Sequence, residues 1–210
     1  IANFFEDKQN QTIDWTILDD TGSVVKNGSL NGVNLTIGNN VDLGTIESTI
    51  DTQTAKKLTV TVSLNGTKYK NSWSIWVYPK DVSTTSKDIL ITSSFDAAFK
   101  ALNQGKSVLL NPDYKTLQGI EGRFVPVFWS PVHFPNQPAT MGLLVDENHP
   151  AFNSFPTSTH TDWQWWDLCI NSKSVIIDSL EVTPIVRVID NFVTNHHLAT
   201  VFEAKVGNGK

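Results

Sequence analysis

Residues 57–64, KLTVTVSL, alternate without a break: Leu58, Val60, Val62 and Leu64 fall on one side, Thr59, Thr61 and Ser63 on the other. A period of two is the pleat of a half-buried β-strand. On a helix the same residues would scatter around the axis. Asn65-Gly66 follows and supplies the positive φ values of a two-residue hairpin turn. KNSWSIWVYP then reads as the return strand, stopped by Pro79. Upstream, TIDWTIL puts Ile13, Trp15 and Ile17 on one face, and DDTGS turns the chain into SVVK.

Short strands joined by Gly/Asn turns predict an antiparallel β-sandwich of immunoglobulin type over residues 1–80. The Cys…Trp…Cys pattern of antibody domains is missing, because Cys169 is the single cysteine. In the last of these strands Trp73, Ile75 and Val77 share one face, and Trp76 and Tyr78 share the other. Either a neighbouring domain covers the outer face, or these aromatics lie along their own sheet.

Residues 81–88, DVSTTSKD, are polar and read as a linker. The pattern then changes. ILITSS is a buried-type strand, and SFDAAFKALNQG is a helix with Ser93 as N-cap, Asp96 completing a capping box and Gly105 as the stop. KSVLLNP is a second apolar strand, so the three form a βαβ unit with parallel strands. TMGLLVD is a further strand, TDWQWWDLCIN a helix starting near Thr161 or Asp162, and PIVRVID and LATVFEAKV late strands. Residues 89–210 are therefore expected to form an open α/β domain of flavodoxin-like or Rossmann-like type. The closing VGNGK is a turn with no following strand, so we read the chain as truncated at its C-terminus.

The 210 residues suffice for one large domain or two small ones. With 40% apolar and 18% charged residues the chain is globular rather than disordered. A net charge of −5 and the lack of any Lys/Arg cluster argue against nucleic-acid binding. No apolar run reaches the roughly 18–20 residues of a membrane span. IANFFEDKQ does not read as a secretory leader, which leaves the compartment open.

Chemical motifs are sparse. GIEGR and GNGK match neither phosphate-binding glycine pattern. Cys169 lies late in an expected helix, not on a nucleophile elbow, and reads as a small buried hydrophobe. His196 and His197 are adjacent and diverge, His160 and Asp162 offer only two ligands, and VDENHP reads as a solvated loop. No cofactor and no metal are expected. Carboxylates are present, but nothing pairs two of them across a glycosidic bond.

The aromatic stretches remain. FVPVFWSPVHFPNQPATMG carries three Phe, one Trp, one His and four Pro in nineteen residues, and HTDWQWWDL adds three Trp. Trp129, His133, Trp163, Trp165 and Trp166 are the candidate carbohydrate contacts, because an indole face fits the apolar face of a pyranose. On a helix Trp163 and Trp166 share a side while Trp165 points elsewhere. The competing reading has these rings fix a Pro-braced irregular segment in place.

GRFVPVFWSPVHFPNQPATMGLLVDENHPAFNSFPTSTHTDWQWWDL, with PIVRVIDNFVTNHHLATVFEAKVGNGK, resembles the C-terminal region of large Bacteroidetes-type glycoside hydrolase family 2 proteins. SWSIWVYP resembles the end of the immunoglobulin-like domain that precedes that region. The second half also resembles glutamine-amidotransferase-like folds without their Cys nucleophile elbow. The resemblance implies a parent that is a retaining β-galactosidase-like enzyme, periplasmic or on the cell surface. The catalytic barrel of that family needs about 250 residues, and none of it is here, so no catalytic residue is carried over.

The expected role is thus a non-catalytic accessory region that packs against the rest of the parent glycosidase or shapes its active site. The alternative is a carbohydrate-binding module that takes an oligosaccharide on its exposed Trp residues. A third reading gives the α/β half its own activity in a crevice at the strand ends.

Overall fold

The computed structural model describes residues 1–121, 132–134 and 140–210. The chain divides into two compact units, Ile1–Val82 with Ser154–Pro156, and Ser83–Asn153 with Thr157–Lys210.

The first unit holds strands β1 (Lys8–Leu18), β2 (Val24–Leu35), β3 (Lys56–Leu64) and β4 (Lys70–Val77) in one antiparallel sheet, ordered β2-β1-β3-β4. Register decides the faces. Ile13 pairs with Leu64, Ile17 with Val60 and Leu58 with Ile75, so the apolar positions fall on one side, and Ile13, Ile17 and Leu58 are buried there. The other side is polar. There Asp14 accepts from Ser29 and Asn65, Thr61 meets Ser72, and Lys57 lies over the Trp76 ring. Also within this unit, the Trp76 indole N–H donates to the Pro156 carbonyl at 3.1 Å.

The immunoglobulin-like sandwich is therefore corrected: no second sheet forms in this unit. The segment between β2 and β3 is rich in Gly, Asn and Asp and has no period-two run, so it crosses without becoming a strand. The turn after β3 is also longer than expected. It spans residues 65–69, with Gly66 alone at positive φ (+72°) and Leu64 N–H donating to the Tyr69 carbonyl.

In the second unit β5 (Ile89–Thr92), α1 (Phe95–Asn103) and β6 (Ser107–Leu110) form the expected strand–helix–strand, with β5 and β6 parallel. The cap is Ser94 rather than Ser93. Its side chain accepts from Ala97 N–H, which leaves Asp96 one position too early for a capping box. Gly105 ends the helix at φ +76°.

The parallel pair stops at two strands, which corrects the flavodoxin-like or amidotransferase-like α/β domain. β7 (Ile120–Glu121), β8 (Thr140–Val145), β9 (Lys173–Ile176), β10 (Pro184–Asp190) and β11 (His197–Phe202) form a separate sheet, ordered β7-β9-β11-β10-β8, in which every pairing is antiparallel. The expected helix over TDWQWWDLCIN shortens to a 3₁₀ turn, Trp163–Trp165, and a five-residue α2 (Trp166–Ile170). Only six residues separate β10 from β11. A parallel crossover needs about a dozen, so the two strands had to form a hairpin. The core of this sheet is Val186, Val188, Leu198 and Ala199, flanked by Leu143, Val145 and Ile185. The closing GNGK folds as a tight turn in which Val206 and Gly209 exchange both backbone hydrogen bonds.

The hairpin is organised by Asp190, only 5% exposed. Its Oδ1 accepts from Asn191 N–H (2.8 Å) and Asn191 Nδ2 (3.1 Å), and its Oδ2 from Thr194 Oγ1 and His196 N–H, each at 2.7 Å. Asn191 Oδ1 in turn accepts from the Val193 and Thr194 amides. A buried carboxylate is tolerated because its lone pairs are filled.

Two substitutions test these packings. Asp190→Ala strips four donors of their acceptor and should destabilise the second unit by about 2–4 kcal/mol, with Asp190→Asn losing less; urea unfolding measures both. In the first unit, Gly28 lies opposite Trp15, and a Cβ there would meet the indole at 2.7 Å. Gly28→Val should therefore destabilise by about 1–3 kcal/mol, although Val is the better strand former. A neutral or stabilising Val would show that the indole moves aside freely.

Candidate functional site

The three tryptophans of DWQWW are sorted by one short turn. Asp162 starts it, its Oδ1 accepting Gln164 N–H at 3.1 Å. A 3₁₀ turn followed by α2 then separates the rings. Trp165 goes inward and is 4% exposed. Its indole N–H donates to Thr157 Oγ1 at 2.9 Å, and its ring meets Phe152 edge-on at 5.8 Å. Burying an indole requires a partner for that N–H, and Thr157 provides it.

Trp163 and Trp166 go outward, 78% and 46% exposed. Their ring centroids lie 6.0 Å apart with 37° between planes. Two adjacent exposed indoles, set on a turn anchored by a buried third, form an apolar platform that a flat ligand face can stack on.

The described residues bring Trp163 and Trp166 together. His133 is exposed, and Trp129 lies outside the described residues. His160, exposed as well, pairs as an isolated bridge with Leu144 of β8. Cys169 is buried in α2 beneath the platform's turn, and burial pushes its thiol from 9.0 up to about 11. A thiol so disfavoured as thiolate is not a nucleophile.

One constellation escaped the sequence reading. His196 Nδ1 lies 2.7 Å from Asp178 Oδ2, and His197 N–H donates to Asp178 Oδ1 at 2.6 Å. The His196 hydrogen bond, then the His197 amide, hold the Asp178 carboxyl below its ordinary value. Acid–base catalysis would need a reacting group at the ring's other nitrogen. Among the described residues no hydroxyl or thiol bonds to it; the Asp178–His196 pair braces the segment after β9 against the start of β11. The adjacent Asp and His of DNFVTNHH and IIDSL gave no spacing signal, since eighteen residues separate Asp178 from His196. No cluster of three or more metal-ligating side chains occurs among the described residues. No helix of the described residues is long and apolar enough to cross a membrane.

A model described as Domain of unknown function (DUF8488) matches residues 1–79. No curated protein matches the chain. A second model matches residues 90–210, more than half of the sequence, and the chain belongs to that family, the Domain of unknown function (DUF8487).

Proposed function

We propose that this chain is a non-catalytic accessory region of a carbohydrate-active enzyme, and that the Trp163–Trp166 pair is its sugar-facing surface. The observation that carries this reading is the exposure of two neighbouring indoles on an anchored turn. An exposed indole face suits stacking on the apolar face of a pyranose. Support for the enzyme class comes from the sequence resemblance to family 2 glycoside hydrolases, which implies a retaining β-galactosidase-like parent in the periplasm or at the cell surface.

A second reading, packing against the rest of a parent chain, draws on another surface. Ile89, Ile91 and Leu109 share one face of the β5–β6 pair and are exposed, and Phe95 and Phe99 of α1 are exposed too. Parallel strands are normally covered on both faces.

Titration with β-galactosides, β-glucosides and uronic-acid oligosaccharides, followed by Trp fluorescence, separates the two. Sugar binding predicts a saturable change that Trp163→Ala weakens about 3–10-fold, while Ile91→Lys leaves it intact. Flat titrations across all three classes would favour the packing role. In either case the chain alone should release no aglycone from aryl β-galactosides; turnover above background would overturn the accessory reading.

A further inference from the structure

The single sheet of the first unit leaves a problem that its own chain only partly solves. A sandwich would cover its apolar face with a second sheet. Here the cover is the N-terminal segment and the loop after β2, tied together as one wall. Asn3 and Gly38 exchange backbone hydrogen bonds at 2.9 and 2.8 Å, and Val41 N–H donates to the Ile1 carbonyl. Asn3 Nδ2 donates to the Leu35 carbonyl, and Asp7 Oδ1 accepts Ile37 N–H.

Between this wall and the sheet lies a cavity of about 400 Å³. Ile13, Leu35, Val62 and Leu64 are among its aliphatic lining, and Phe5, Tyr69 and Trp73 are its rings. Phe5 and Tyr69 sit 6.3 Å apart. The volume falls at the lower end of the roughly 300–1,000 Å³ of small-molecule sites, with room for one or two rings.

Charge narrows the ligand. The ionised side chains lining the cavity are Glu6, Lys8 and Lys70. Glu6 and Lys8 pair with each other at 3.1 Å. Lys70 has no acidic partner among the described residues, so the side chains of the lining carry one uncompensated positive charge.

We propose that this cavity binds a small amphiphile: an aromatic or alkyl body against Leu64, Tyr69 and Trp73, and a single anionic group beside Lys70. The site is independent of the Trp163–Trp166 platform and of the accessory reading.

The test is a ¹H–¹⁵N titration of the whole chain with naphthalene-2-sulfonate, with 2-naphthalenemethanol as the uncharged control. The expected result is saturable one-to-one binding, with amide shifts concentrated in residues 1–8, 35–43 and 62–73. Lys70→Glu, a surface change that should leave the fold intact, should weaken the sulfonate about five-fold or more and leave the alcohol unaffected. Leu64→Trp, which fills the cavity, should abolish both, and Trp163→Ala should change neither. Shifts confined to the β5–α1–β6 face or to Trp163–Trp166 would overturn the proposal. So would equal affinity for the two probes, or a Lys70→Glu variant that binds the sulfonate unchanged. Concentration-dependent dimerisation that broadens the same amides without probe would identify a second copy as the occupant instead, and would also overturn it.

Discussion

Asp190 reverses the chain between two inner strands of the second unit, and much of that unit's architecture follows from how its carboxylate is held. Taking a carboxylate out of water costs several kcal/mol unless donors replace the lost hydration. Here two backbone amides, one side-chain amide and one hydroxyl do so, all drawn from the six residues that follow. The donors are local, so the turn closes within its own segment, with Asn195 in the left-handed region at φ +49°. A turn this short fixes β10 and β11 as antiparallel. β8 and β9 then pair on their outer edges, also antiparallel. Arg187 and Ile189 therefore face outward while Val186 and Val188 are buried, which is the alternation of a sheet with one covered face.

The first unit obeys a simpler constraint. One antiparallel sheet with a mainly apolar and a mainly polar face must cover the former. The polar face is stabilised by cross-strand pairs such as Thr61 with Ser72. On the apolar face Trp15 lies over Gly28, filling the gap left by a residue without a side chain. The remaining cover comes from irregular chain, whose own backbone groups need partners. Asn3, Asp7 and Gly38 supply them. Irregular cover follows the sheet less closely than a second sheet would, and the cavity beside Leu64 and Trp73 results.

Much of this was legible in the residues. The alternation in KLTVTVSL and TIDWTIL gave the strands and their buried faces, because each face depends only on neighbouring positions. The helix over SFDAAFKALNQG was also local. The fold classes failed where distant pairing mattered. The sandwich was inferred from the count of strands and turns, yet the residues between β2 and β3 never offered a strand for the second sheet. The parallel sheet was extrapolated from one βαβ unit, although the six-residue gap before HLATVF already forbade another crossover. The Asp178–His196 brace and the cavity wall depend on residues far apart in sequence, which no spacing rule reaches.

The DWQWW segment lies between these cases. Helical spacing separates Trp165 from the other two, but spacing alone does not say which side is the core. That choice is made by Thr157, whose hydroxyl satisfies the Trp165 N–H, and by Phe152, whose ring packs edge-on against it. The 3₁₀ turn and the start of α2 then carry Trp163 and Trp166 to the outer side. The outward pair is thus a consequence of the inward one. Exchanging Thr157 for a residue without a hydroxyl would leave the buried Trp165 N–H without its partner and loosen the turn that carries Trp163 and Trp166.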